Sequence, residues 1–236
     1  MSYEKEFGIF SSNINQAARA FYYHQEIQKQ VYADGIKHQN LPDGYFQNSK
    51  MFQAMQANSQ FWMDYKHSSI VFAIITLGRI LDKNSNAHKI ERLIKTAKNS
   101  NLFNNDKLRE RKIKGSDNSS EWIEDYMESS HELTELDYNK ISSFAEETRK
   151  RWEDVKDLRN KIYAHQEALD DNRKAEILEK SKYEVFEDII GRLLTLEYIF
   201  WQAYHNGAAP DFDYKNQQIR DYIKNDVQSL LNRLAN

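Results

Sequence analysis

SKYEVFEDIIGRLLTLEYIFWQAYHNG, residues 181–207, carries its own start and stop signals. Ser181 and Glu184 have the spacing of a capping box, in which a hydroxyl and a carboxylate satisfy free N–H groups in the first turn of a helix. Phe186, Ile189, Ile190, Leu193, Leu194, Phe200 and Trp201 follow at helical steps, and Gly207 with Pro210 beyond it ends the run. The spacing predicts a helix over Ser181–Gly207 with a broad apolar side, which other helices must cover.

The neighbouring segments supply them. Upstream, Thr134–Leu169 has few breakers and should be the longest helix, with Glu147–Arg151 and Asp157–Lys161 as charged pairs at i,i+4 spacing. Downstream, Ile219, Ile223, Val227, Leu230 and Leu234 mark a C-terminal amphipathic helix. Phe7, Phe10, Ile14, Ala17, Ala18 and Phe21 mark an N-terminal one, which Pro42, Asp43 and Gly44 follow with a turn. From Ser49 to Leu81 the pattern is helical again and becomes apolar nearly all round in SSIVFAIITLGRIL, so this helix should be packed on several sides. Asp82–Asn86 breaks it, and Ile90, Leu93, Ile94 and Ala97 define a shorter helix. Asn99–Asn105 and Lys107–Ser120 read as loops, the latter holding KLRERKIKG, the only concentrated basic stretch. Two prolines and seven glycines in 236 residues leave little turn chemistry for a sheet. We therefore expect one all-α domain over residues 1–236, with Thr134–Leu169 packed against Ser181–Gly207 and Ile70–Leu81.

Inventory removes several functions. With no cysteine, disulfides and thiolate metal sites are excluded. The N-terminal MSYEKEFGIFSS lacks the apolar core of a signal peptide. Ile70–Gly78, the most apolar run, is far shorter than the roughly 20 residues a membrane span needs. A soluble, cytoplasmic protein without membrane association is expected. A net charge of −3 denies it a generally basic surface, so any RNA contact must be local. The glycines are isolated and form no phosphate loop. Glu128 and His131 make a single Glu-x-x-His step, read as a solvated pair, and Glu121, Glu124, Asp125 and Glu128 read as a charged helix face. Neither a metal nor a cofactor is expected.

What remains is RNKIYAH, Arg159 to His165, near the end of the long helix. An arginine followed by a histidine is common at this spacing among 12 arginines and seven histidines, and Arg19 and His24 in RAFYYH form a second case. Position separates the two. The stripe Ala145, Trp152, Val155, Leu158, Ile162 and Leu169 runs along the helix, and Arg159 and His165 flank it. Six residues place them about 120° apart and about 9 Å along the axis, so one helix does not bring them together. Two such helices across a symmetric interface could set each arginine near its partner's histidine.

RNKIYAH on a long helix of an all-α chain resembles the motif of the HEPN superfamily, most closely its abortive-infection, AbiU-like branch. SSIVFAIITLGRILDK and the order of helices are also similar to that branch. The resemblance implies a HEPN-like helical bundle with additional N- and C-terminal helices and a motif helix over about 134–169. It also implies a metal-independent endoribonuclease site made of Arg159, Asn160 and His165, working as a homodimer in phage defence, by abortive infection or in a toxin–antitoxin system. RAFYYH fits less well, with Ala20 in the polar position, and Gln166 stands where a basic residue would follow the motif. Lys161 is either a phosphate contact or the surface partner of Asp157. Lys107, Arg109, Arg111, Lys112 and Lys114 are candidates to grip the RNA backbone, or else belong to a solvated loop. A second reading is a non-catalytic helical module partnering another protein, such as an antitoxin or a regulator.

Overall fold

A computed structural model describes residues 2–39, 50–82, 89–115, 121–157, 161, 182–214 and 217–235. Among them the regular structure is helical, without a strand: α1 (Tyr3–Gln39), α2 (Lys50–Ala57), α3 (Ser59–Leu81), α4 (Ile90–Ser100), α5 (Asn105–Lys114), α6 (Glu121–Glu128), α7 (Glu135–Asp157), α8 (Tyr183–Asn206) and α9 (Gln217–Ala235). The all-α expectation is met. None of the described helices is long and apolar enough to cross a membrane. The turn expected at Pro42–Gly44, the capping residue Ser181, and residues 158–160 and 162–169 of the helix expected over Thr134–Leu169 lie outside the described residues, and the longest described helix is α1, with 37 residues, rather than α7, with 23.

The chain forms two compact units, Met1–Asn15 with Leu77–Lys215 and Gln16–Thr76 with Asn216–Asn236. In the first, α8 buries Phe186, Ile189, Ile190, Leu193, Leu194, Leu196, Ile199 and Phe200. Its N-cap is Lys182, one residue beyond the serine of the capping-box pattern, and makes no side-chain cap bond. Its other end follows the sequence closely, because Gly207 takes the left-handed conformation at φ 56° and its N–H returns to the Ala203 carbonyl.

α7 packs on α8, as expected, and also on α4. Thr134 caps α7: its hydroxyl accepts from the Asp137 N–H at 3.2 Å, and the Asp137 carboxylate accepts from the Thr134 N–H at 2.9 Å. Ile141, Ala145, Trp152 and Val155 are buried at helical spacing, and the Trp152 indole donates to Asp82, just past α3, at 2.7 Å. The pair Glu147–Arg151 needs correction, because both reach across to α8 instead. Glu147 accepts from Arg192 at 2.8 Å, and Arg151 lies 3.0 Å from Asp188. Arg192 also covers the Phe144 ring at 3.9 Å and donates to Thr148 at 3.0 Å, so charges that resemble a solvated face fix the seam between the helices.

Of the loop expected over Lys107–Ser120, Lys107–Lys114 belong to the helix α5 and 116–120 lie outside the described residues, while Asn99–Asn105 is divided between the end of α4, a short turn and the start of α5. Local polarity concealed two supports for α5. Asn104 caps it by accepting from the Lys107 N–H at 2.8 Å, and Leu108 is buried. Phe103, in the preceding turn, joins an aromatic cluster with Tyr3 at 4.9 Å and Tyr204 at 5.9 Å.

A Cβ added at Gly207 would collide with Leu108 Cδ2 and meet Ser130 Cβ at 3.0 Å. Gly207→Ala is therefore expected to destabilise the chain by about 1–3 kcal/mol, combining left-handed backbone strain with overpacking. Chemical denaturation checks this, and an unchanged midpoint would contradict it.

The second unit buries Ala17, Ala18, Phe21, Tyr22, Ile27, Ala73 and Ile74 with Ile223, Val227 and Leu231 of α9, which packs on α2. The α9 stripe thus runs through Leu231, in register with Ile223 and Val227, while Leu230 is exposed. α3 is not enclosed all round, since Phe72 remains 44% exposed.

Candidate nucleic-acid interface

Arg159, Asn160 and His165 lie outside the described residues. α7, which precedes them, ends at Asp157. Trp152, seven residues before Arg159, and Val155 are fully buried, so the apolar seam of α7 extends to within a turn of the motif. Lys161 is described, and its Nζ lies 3.2 Å from Asp157, the i,i+4 pair read from the sequence.

In the second arginine–histidine pair only the histidine is a core residue. His24 is buried, its Nδ1 donates to the Lys66 carbonyl at 3.0 Å, and burial pushes its pKa below the usual histidine range. Arg19, by contrast, is exposed. A neutral core imidazole with a carbonyl partner is a poor candidate for moving protons to a substrate. His131 is likewise engaged: its Nε2 lies 2.9 Å from Asp137, part of the α7 cap, rather than forming a solvated pair with Glu128. Against a burial that pushes it up, hydrogen bonds from Thr134 and His131 hold the Asp137 carboxyl below its usual range.

The basic stretch is ordered by α5 and splits into two kinds of cation. Lys107 pairs with Glu110 at 2.8 Å, and Arg109 pairs with Glu124 of α6. Glu124 thereby leaves the acidic face on which a cation could have been held. Arg111 and Lys112 are held by aromatic rings instead. The Arg111 guanidinium lies 4.1 Å over Tyr204 and its Nε donates to the Tyr204 carbonyl at 3.1 Å. Lys112 Nζ is 4.5 Å from the Tyr126 ring centre and 3.4 Å from Asn206 Oδ1. Lys114 is exposed near the end of the helix.

Arg111 and Lys112 line a cleft of about 450 Å³ with Gly115, Trp122 of α6, and Trp201, His205 and Asn206 of α8. Trp201, expected within the apolar run, is 44% exposed, and Trp122 is 42% exposed. Trp201 and His205 face each other with ring centres 4.9 Å apart. Burial, then the charges of Arg111 and Lys112, push the His205 pKa below its usual range. Among the described residues that line it, the cleft carries two cations, two indoles and no carboxylate. Sequence reading found two of its residues as basic and placed a third in the wrong environment. An i,i+4 Trp–His pair beside the helix end was the available signal.

Comparison with known families finds a match to the HEPN family model described as AbiU2, over residues 18–233. No curated protein and no solved structure matches the chain.

Proposed function

Since the chain belongs to the AbiU2 family of HEPN proteins, we propose that it is a metal-independent endoribonuclease of phage defence, acting by abortive infection or as the toxin of a toxin–antitoxin pair. One observation carries the reading: the matched segment runs through RNKIYAH with Arg159, Asn160 and His165 all in place. Cleavage by 2′-hydroxyl attack forms a bond from the 2′ oxygen to phosphorus and breaks the bond to the 5′ oxygen. It leaves a 2′,3′-cyclic phosphate and a 5′-hydroxyl. Imidazole can take the first proton and supply the second near neutral pH, and a guanidinium can stabilise the added charge of the phosphorane. Asn160 would orient the phosphate or tie the motif to a neighbouring helix. The test is incubation of purified protein with RNA, with and without chelator, followed by analysis of the ends. Intact RNA in both would reject the proposal.

On an ideal helix Arg159 and His165 would lie about 120° apart, which motivates a shared site at a dimer interface. A homodimer is expected by light scattering at micromolar concentration, and a monomer there would remove the composite site. Lys161, already paired with Asp157, would meet phosphate only by exchanging that carboxylate. The second reading, a non-catalytic module bound to an antitoxin or regulatory protein in the cytoplasm, is favoured by Gln166 and by the net charge of −3.

A further inference from the structure

We propose that the cleft between α5, α6 and α8 is a binding subsite for single-stranded RNA, taking an unpaired base against Trp201 and the adjoining phosphate on Lys112 and Arg111. This deepens the ribonuclease reading by giving the substrate a site away from RNKIYAH in sequence, and it rests on that reading for the identity of the polymer.

Three observations point to this ligand. First, two indoles stand open on one cleft in a chain whose other tryptophan of comparable size in this unit, Trp152, is completely buried. His205 backs Trp201 at 4.9 Å, which holds the indole as a platform rather than letting it fold down. Stacking on such a platform is tolerant of sequence, because every base presents a π face.

Second, the cations differ from their neighbours on the same helix. Lys107 and Arg109 are neutralised by Glu110 and Glu124, whereas among the described residues Lys112 has no carboxylate partner. Among the described residues the buried Nη2 of Arg111 has no hydrogen-bond partner. A buried donor left unmade is costly, and a phosphate oxygen is a strong acceptor for it. The two rings that hold Arg111 and Lys112 also reduce the side-chain freedom lost on binding.

Third, the combination discriminates between partners. An apolar protein surface would gain nothing from two cations, and an acidic peptide would gain little from a paired indole and imidazole. A nucleotide uses both. It also reconciles RNA binding with an acidic chain, since the contact is local rather than spread over a basic face.

The experiment uses the full chain and a short 2′-O-methyl oligoribonucleotide, which cannot undergo 2′-hydroxyl attack, so binding is read independently of cleavage. Fluorescence anisotropy measures affinity in the native protein, Trp201→Ala, Trp201→Phe, Lys112→Ala and, as a control on an exposed aromatic elsewhere, Tyr222→Ala. Trp201→Ala should weaken binding by roughly 5- to 100-fold, the range expected for loss of one stacked base, and Trp201→Phe should recover part of it. Lys112→Ala should lower the slope of log affinity against log salt by about 0.7, one phosphate contact on a single strand. Tyr222→Ala should change nothing. Equal affinity in the native protein, Trp201→Ala and Lys112→Ala overturns the subsite, as does binding of an acidic peptide in place of RNA. Binding lost in these variants of a protein that cleaves no RNA upholds the subsite and rejects the ribonuclease. Cleavage with no oligonucleotide binding that depends on Trp201 does the reverse.

Discussion

His165→Ala is expected to reduce RNA cleavage by about 10²- to 10⁴-fold, the usual cost of removing a positioned acid or base. The loss should appear at every pH at which the native protein is active and in the presence of chelator, because the imidazole rather than a metal-bound water is proposed to handle the protons. Arg159→Ala should be nearly as damaging, since the phosphorane would lose its fixed cation. Neither change should alter binding of the 2′-O-methyl oligonucleotide by more than a few-fold, because the cleft proposed to take the base is built from α5, α6 and α8. His24 supplies the internal comparison: it has the same side chain and a similar arginine upstream, but is buried against the Lys66 carbonyl. Replacing it should lower stability, with any loss of cleavage following the loss of folded protein. Rates unchanged in both the His165 and Arg159 variants would end the proposed mechanism.

How much of this could be read from the chain depended on where each signal was stored. The C-terminal end of α8 was legible to the residue because its apolar spacing and terminal glycine are local, and the buried face of α4 was legible from its spacing. Ile90, Leu93, Ile94 and Ala97 are all buried as the spacing predicts. α5 was misread because its polarity is local while its supports are not. Arg111 is held by Tyr204, 93 residues away, and Leu108 packs against the end of α8 near Gly207. For the same reason the cleft as a whole was not legible: Trp122, Trp201 and Lys112 come from three helices, and only the i,i+4 pair Trp201–His205 is local. RNKIYAH was legible for the opposite reason, being seven contiguous residues whose types already match a reaction. The error at Leu230 was smaller. Leu230 and Leu231 are equally apolar, and only the i,i+4 register with Ile223 and Val227 selects the second.

Trp152→Ala should destabilise the chain more than any surface change, by about 3–5 kcal/mol, the range for emptying a large buried aromatic site. Trp152 is fully buried in α7, and its indole N–H donates to Asp82 at 2.7 Å, so the change both opens a cavity and removes a hydrogen bond between the long helix and the residue after α3. For a chain of this size the loss corresponds to a fall in melting temperature of about 6–20 °C. Trp152→Phe keeps most of the volume but not the donor, and should cost about 1–2 kcal/mol, the net worth of a hydrogen bond plus slight underpacking. A melting temperature within about 2 °C of native for Trp152→Ala would contradict the anchoring role. The position also links fold to chemistry. Trp152 lies seven residues before Arg159, so it fixes the rotation of α7, whose last residue, Asp157, is two positions short of the motif. Its effect on cleavage should therefore depend on temperature. Well below the lowered transition the helix is held by Val155, Ile141 and the Arg192 contacts, and activity should largely return. His165→Ala, which removes a reacting group and not a support, should stay inactive across the same range. If Trp152→Ala instead remained inactive while fully folded, the tryptophan would be positioning the motif directly, and the two variants would have to be treated as one site.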